Sequence, residues 1–396
     1  MLGLLPGQLE PQLQEKLIRL GSWLPFEPAA SLFTALTGVA VSKATCRRLT
    51  EKGGEVQVER QEGAVVAMEA GELVTPERVA EKLLLSTDGA MVPLVGGEWA
   101  EVRTLAIGEV LGQETGAGQQ ETNTHALSYF SRLTDGLSFQ RAALVETERR
   151  GLLHAPAVAA VNDGAEWIQS FIDYHRPDAL RILDFPHAAE RFTTIHTQCR
   201  DNGVTLEAEW PDQQRQRLKE EGGTAVLEPL RVLQQTYPQV GLDESISYLA
   251  KREQMLDYPH FRTAGWPIGS GVVESANKLV VEARLKGAGM HWRRDNVNPM
   301  LALRNVVCNK RWDECWPDIA RGFRQKRTPI PFDDQEPPEP TVNRVQQYFQ
   351  EMQRHHRAWE AIQSETEKAK AKKPWKPASS HPWRRPWPTH PRSAKK

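Results

Sequence analysis

The sequence predicts an α/β fold built on a mixed sheet, with helices before, within and after it. Three aliphatic segments come first, and two shorter apolar segments then alternate with helical ones. Strands joined by tight turns pair antiparallel, whereas strands joined by a helix pair parallel. The predicted order is therefore a three-strand antiparallel meander followed by parallel strands with helical crossovers.

Composition and charge limit the class of protein. The chain has 396 residues, of which 39% are apolar and 26% charged, as in a globular protein with two or three folded units. We expect it to be cytoplasmic because it lacks a membrane-length apolar run and a recognisable leader. The four cysteines form no Cys-x-x-Cys pair, which argues against a zinc site. Lys368 to Lys396 holds ten Lys and Arg and no acid, so residues 1–367 carry 40 basic against 51 acidic residues.

Residues 1–75 form a helical N-terminal region by their apolar spacing. Helices are predicted over Leu9–Leu20, Ala29–Leu36 and Lys43–Lys52, the last capped by Ser42. The pattern is typical of a helix-turn-helix, but also of an ordinary three-helix packing unit. In the first case the residues facing DNA are Lys43, Arg47 and Arg48.

Residues 76–192 are predicted to form the first part of the catalytic core, which contains the sheet. Leu83–Leu94 and Val102–Val110 make a hairpin around Gly96 and Gly97, and Ala126–Leu133 is the third strand. The elements that follow are a helix at Ser138–Arg150, a strand ending at Asp163, a helix at Glu166–Tyr174, a strand at Leu180–Leu183 and a helix from His187. This order is the one that a ribonuclease-H-like sheet requires.

The remaining segments are assigned by composition and helical pattern. Residues 193–262 predict a helical insertion without strands, and 263–325 predict the last helices of the sheet domain. Residues 326–367 are a proline-rich linker and a helix. Residues 368–396 are a tail rich in Trp, Pro and cations, typical of disorder. The tail suits non-specific DNA binding or simple solubilisation.

Three acidic residues occupy the positions where such a sheet places its chemistry. Asp88 and Asp163 each follow an apolar strand segment, and Glu274 lies in a predicted helix. In this strand order the first and fourth strands are neighbours, so Asp88 and Asp163 lie side by side and Asp184 lies one strand further out. Three such carboxylates can hold two Mg²⁺ or Mn²⁺ ions for phosphoryl transfer. Singly, each is as typical of a turn, a helix cap or a solvated helix face.

The motifs together resemble a known family. They are Asp88, Asn162 to Ile168, Asp184-Phe185-Pro186-His187 and Pro267 to Lys278, continuing from Arg284 to Trp292. In this order they resemble the DDE transposases of the ISKra insertion-sequence family, relatives of the Mutator-like group, over residues 23–316. The resemblance implies a bacterial, nucleoid-associated enzyme that cleaves transposon ends and joins the 3′-hydroxyl to target DNA. It also implies metal binding by Asp88, Asp163 and Glu274, recognition of terminal inverted repeats and a homo-oligomer on DNA.

Other residues are expected near this site. Asp184 and His187 form a motif that can orient a carboxylate or contact the scissile phosphate, or can simply pack at a strand-to-helix turn. We expect DNA contact from the face of the Glu274 helix and from the glycine-rich segment after it, and these residues are Asn277, Lys278, Arg284, Lys286, His291, Trp292 and Arg293. Alternatively, the cations lie on a solvated helix face, and Trp292 is an ordinary core residue.

Two other functions fit the same residues. A domesticated descendant would bind DNA without cleaving it, and a structure-selective nuclease of the same fold would cleave without joining. Intact carboxylates argue against the first, whereas only a joining assay separates the second. Family members commonly carry more sequence upstream of Trp23, so we expect end recognition, rather than catalysis, to be incomplete.

Overall fold

The N-terminal region consists of three helices, α1 (Pro11–Trp23), α2 (Phe26–Thr37) and α3 (Lys43–Glu69). The computed structural model describes residues 9–72, 74–114 and 120–325. The predicted cap of α3 is confirmed, because the Ser42 hydroxyl accepts a hydrogen bond from the Thr45 amide at 3.1 Å. A helix longer than predicted follows this cap.

Gly53 and Gly54, just beyond the predicted end of α3, lie within the helix and do not end it. A Cβ on Gly54 would lie 2.2 Å from the Pro299 carbonyl oxygen, and one on Gly53 would lie 3.3 Å from Ile18. These glycines let α3 approach neighbouring helices closely, a reason for glycine that a local pattern does not reveal. The N-terminal helices and the C-terminal helices consequently share one apolar cluster.

The five strands form one mixed sheet in the order β3-β2-β1-β4-β5. Their bounds are β1 Lys82–Pro93, β2 Trp99–Glu114, β3 Gln120–Arg132, β4 Ala157–Asn162 and β5 Leu180–Leu183. β1, β2 and β3 pair antiparallel, while β4 pairs parallel with both β1 and β5. The predicted α/β class, strand order and strand directions are confirmed.

Asp88 follows the apolar segment of β1 but does not end the strand. It lies in the middle of β1, opposite Thr104 of β2, within the predicted span Leu83–Leu94. The hairpin turn lies further on, where Gly96 and Gly97 adopt positive φ angles of 96° and 85°. β1 therefore continues past Asp88, whereas the neighbouring strand β4 ends at Asn162.

Helices cover both faces of the sheet and supply the region after β5. Between β3 and β5 lie α4 (Gly136–Ala142), α5 (Leu144–Arg149) and α6 (Glu166–His175). After β5 come α7 (Phe185–Asp201), α8 (Trp210–Glu221), α9 (Gly223–Thr236), α10 (Asp243–Ala250) and α11 (Tyr258–Thr263). The insertion is helical, as predicted, although its predicted start at residue 193 falls inside α7. Its apolar residues share a core with β4, β5 and α7.

The helix bearing Glu274 changes type along its length. It runs as α12 (Gly271–Ala276), a π-helical segment (Asn277–Glu282) and α13 (Ala283–Leu285). A π-helix has a wider turn than an α-helix, so the buried face shifts. Leu279, which α-helical periodicity predicts to be buried, is consequently 38% exposed.

Two further helices complete the described part of the chain, α14 (Arg294–Cys308) and α15 (Trp312–Gln325). No helix among the described residues is long and apolar enough to span a membrane. The predicted linker and helix at 326–367 and the basic tail at 368–396 lie outside the described residues.

Candidate active site

The site is centred on Asp88 and Asp163, which the strand register makes neighbours. β1 and β4 pair from Lys82↔Ala157 to Leu85↔Ala160, and continuing this register by three residues would place Asp88 level with Asp163, just beyond the end of β4. The strands stay adjacent up to this point, because the Thr87 amide donates to Asn162 Oδ1 at 2.6 Å. Paired strands are about 4.8 Å apart, and the two carboxylates are close enough to repel each other.

The electrostatics of Asp88 reflect that position. Burial raises the pKa of Asp88, and the negative charge of Asp163 raises it further. Hydrogen bonds act in the opposite direction, since Asp88 Oδ1 accepts from the Gly89 amide at 2.7 Å and Oδ2 from Asn277 Nδ2 at 2.9 Å. The pair is therefore an arrangement that a bound cation would stabilise.

Asp163 lies in a tight turn after β4. Its Oδ1 accepts a hydrogen bond from the Ala165 amide at 2.9 Å. The next residue, Gly164, has a φ of 80°, in the left-handed region that favours glycine. This is an Asx turn, which sets the direction of the Asp163 side chain.

The helix bearing Glu274 is attached to this part of the sheet on either side of that residue. The Ser270 amide donates to Asp184 Oδ1 at 2.6 Å, just after β5, and Asn277 donates to Asp88 on β1. Glu274 lies between these two attachments along the chain, and the buried side of its helix packs on Ala90 and Val92 of β1 and Ala100 and Val102 of β2. Glu274 is exposed, and its carboxylate forms no hydrogen bond or ion pair with any other described residue.

Asn277 occupies a different place from the one predicted. The sequence placed it on the DNA-facing rim, whereas it is only 5% exposed and bonded to Asp88. Its Oδ1 is buried and has no hydrogen-bond partner among the described residues. The expected DNA contact is corrected to a contact with a candidate metal ligand, because the helix turns this side chain toward the sheet.

Asp184 and His187 form a bonded pair beside the two carboxylates. Asp184 is fully buried and accepts hydrogen bonds from the His187 amide at 3.0 Å and from His187 Nδ1. The hydrogen bond to Asp184 raises the pKa of His187, and the charges of Asp163 and Asp88 add to the effect. Burial alone would raise the pKa of Asp184, but hydrogen bonds from His187 and Ser270 lower it below its usual value. The structure thus brings the predicted pair next to the predicted carboxylates.

The capacity of the site for a metal depends on donor chemistry and spacing. No three His, Cys, Asp or Glu side chains of the described residues converge closely enough to hold an ion. The donors themselves fit a hard divalent cation, since Asp88 and Asp163 repel each other and the exposed Glu274 lies on the helix bonded to Asp88. The unpartnered Asn277 Oδ1 is a further oxygen in this region.

Most of the basic residues predicted to contact DNA are exposed. They are Lys43, Arg47, Arg48, Lys278, Lys286, His291 and Arg293. Three of them are already paired with acids, in the ion pairs Lys43–Glu27 (3.3 Å), Arg47–Glu51 (3.8 Å) and Lys286–Glu282 (2.7 Å). The surface around α3 is therefore mixed rather than strongly basic.

Arg284 and Trp292 are core residues, contrary to the predicted DNA contact. Arg284 is 1% exposed, donates to the Gly21 carbonyl at 3.0 Å and lies over the rings of Phe26 and Trp292. Burial lowers the pKa of Arg284 to about 10. Trp292 is 6% exposed, and its indole N–H donates to the Leu285 carbonyl. The cation lies over the ring inside the protein, so neither side chain is placed to contact DNA.

Two residues at the site were not predicted. Tyr248 and Arg252, from the end of the insertion, donate to the carbonyl oxygens of Asp163 and Gly164. They follow no motif, and nothing in the local pattern marks them.

Comparison of the chain with models of known protein families and with curated proteins found no match.

Proposed function

We propose that the chain is a DNA transposase with a ribonuclease-H-like fold, which cleaves transposon ends and joins the 3′-hydroxyl to target DNA. The observation that carries the proposal is that Asp163, just after β4, lies close enough to Asp88 of β1 for its charge to raise the pKa of Asp88, while Asn277 bonds the helix bearing Glu274 to Asp88. The order β3-β2-β1-β4-β5, with its antiparallel and parallel halves, supports the fold assignment. The resemblance in the motifs supports the reaction.

The side chains of the site would act by positioning metal ions. Asp88, Asp163 and Glu274 would hold two Mg²⁺ or Mn²⁺ ions, which activate an oxygen nucleophile and stabilise the leaving oxygen. Asn277 and the Gly89 amide orient Asp88, and the Ala165 amide orients Asp163. His187, with a raised pKa and a half-exposed ring, can donate a proton to a phosphate oxygen.

The partners follow from the same proposal. The exposed cations Lys278, His291 and Arg293 are suited to phosphate contacts next to the helix of Glu274. Two transposon ends must be brought together for joining, so we propose that the protein acts as a homo-oligomer on DNA. The recognised sequence would be the terminal inverted repeats of its element.

The test is cleavage and joining with DNA that carries the ends of the element. We expect Asp88→Asn, Asp163→Asn and Glu274→Gln each to abolish Mg²⁺-dependent cleavage and to leave DNA binding nearly intact. Asp201→Asn, at the exposed end of α7, is the matched control and should cleave normally. Normal cleavage by any of the three would remove that residue from the site.

Joining separates the transposase from a nuclease of the same fold. Pre-cleaved ends with a free 3′-hydroxyl should be joined to target DNA with Mg²⁺ or Mn²⁺ but not with Ca²⁺, whose looser coordination positions the reactants poorly. Efficient cleavage without joined product would favour the nuclease, and binding without either reaction would favour a non-catalytic DNA-binding protein.

A further inference from the structure

The turn that carries Asp163 is held by the helical insertion. β4 ends at Asn162, so the carbonyl oxygens of Asp163 and Gly164 lie beyond the sheet ladder. The Tyr248 hydroxyl donates to the Asp163 oxygen at 2.5 Å, and Arg252 Nη2 donates to the Gly164 oxygen at 2.7 Å. The donors are 85 and 88 residues away along the chain. The backbone of this turn is thus completed by another part of the molecule.

The donors are themselves rigidly held. The guanidinium groups of Arg191 and Arg252 each lie 4.1 Å from the centroid of the Tyr248 ring, and Arg252 Nη1 donates to the Tyr248 carbonyl at 3.0 Å. Arg191 belongs to α7, one turn beyond His187. Because side chains restrained by several contacts lose less entropy when they bond, this stack presents the hydroxyl in a fixed position.

The glycine in the turn makes this approach possible. A Cβ on Gly164 would lie 2.3 Å from Arg252 Nε, so only glycine lets the guanidinium reach the backbone. Gly164 is therefore required twice, by its positive φ of 80° and by the space that Arg252 occupies. The Asp163–Gly164 turn is therefore shaped to receive Arg252 of the insertion. Such a fit would not be needed if the insertion packed independently of the turn.

We propose that Tyr248 and Arg252 are positioning residues for Asp163, through which the docked insertion sets the affinity of the site for a divalent cation. The inference rests on the proposed function, since it concerns the same carboxylate. The hydroxyl holds the Asp163 carbonyl, and with it the backbone from which the carboxylate projects. Removing a partner that orients a ligand typically costs 10–100-fold in metal affinity.

The experiment measures Mn²⁺ binding to the full chain by electron paramagnetic resonance, without DNA and without turnover. Tyr248→Phe removes only the hydroxyl, and we expect its Kd for Mn²⁺ to rise about 10–100-fold. Arg252→Met keeps the aliphatic stem and should act in the same direction. Thermal unfolding of each variant shows whether it is folded during the titration.

The matched control is Tyr258→Phe. Tyr258 also belongs to the insertion, is fully buried, and donates to a strand-end carbonyl, that of Leu183, at 2.9 Å. We expect this variant to lose as much stability or more while keeping the wild-type Kd for Mn²⁺. Equal Mn²⁺ affinity in wild type and a folded Tyr248→Phe would overturn the inference and leave the proposed function standing. If wild type binds no Mn²⁺ that depends on Asp88 and Asp163, the proposed function falls, and this inference with it.

Discussion

Replacing Asn277 by alanine tests whether the site depends on the helix contact that the structure shows. The change removes the 2.9 Å hydrogen bond from Asn277 Nδ2 to Asp88 Oδ2 and leaves the other Asp88 oxygen with its Gly89 amide. A hydrogen bond to a charged group contributes about 1.5–3 kcal/mol. Since 1.36 kcal/mol corresponds to a factor of ten in rate, removing the bond corresponds to roughly 10–150-fold if it serves to place Asp88.

The assay is single-turnover cleavage of DNA carrying the element's ends, measured over a series of Mg²⁺ concentrations. We expect Asn277→Ala to cleave about 10–100-fold more slowly and to need more Mg²⁺, because Asp88 is less well oriented. DNA affinity should stay close to wild type, since Asn277 is buried and does not face a DNA surface.

Asn309→Ala is the matched control for this prediction. The Asn309 amide also bridges a helix to the sheet, with hydrogen bonds of 2.8 Å to both the amide and the carbonyl of Tyr129. It should therefore destabilise the protein at least as much and leave the Mg²⁺ dependence unchanged. If Asn277→Ala cleaves at the wild-type rate and changes only DNA affinity, Asn277 contacts DNA and does not orient Asp88.

Burial, charge and composition give three more expected outcomes. The His187–Asp184 pair should stabilise the fold most between about pH 4 and 6.5. The pKa of His187 is raised on folding, so its contribution to stability is complete below 6.5 and is lost as the pH rises through the folded-state pKa. The pKa of Asp184 is lowered on folding, so its contribution is present above 3.8 and is lost as the pH falls through the folded-state pKa. Urea unfolding against pH should therefore show a smaller advantage over His187→Gln above this window, and a constant difference would contradict the pairing. Arg284→Ala should lower the free energy of unfolding by about 2–5 kcal/mol, as for other large buried side chains, with no change in the DNA affinity of the folded fraction; weaker DNA binding by a stable variant would restore the surface role. Truncation after Glu367 removes ten cations, so the slope of DNA affinity against salt should fall by about 0.9 for each phosphate that the tail neutralises in the full chain, and an unchanged slope would show that the tail does not touch DNA.

The sequence by itself determined the strand order and much of the helix pattern. The Gly96-Gly97 turn and the aliphatic runs indicated the hairpin, and Ser42 indicated the start of α3. The expected ribonuclease-H-like sheet also placed Asp88 beside Asp163, because the first and fourth strands are neighbours in such a sheet, and these strands are neighbours here. These are local or topological features, for which neighbouring residues carry the information.

Only the tertiary structure decided how the carboxylates are held and which cations reach the surface. Asn277 meets Asp88 across 189 residues and Tyr248 meets Asp163 across 85. Tyr248 belongs to no motif, and the motif that contains Asn277 predicted a DNA contact rather than a contact with Asp88. The π-helical segment shifted the buried face of the helix, which α-helical periodicity could not anticipate. Arg284 has the pattern of a surface cation in any local window, yet it is buried, with its guanidinium over the rings of Phe26 and Trp292 and its Nε donating to the Gly21 carbonyl.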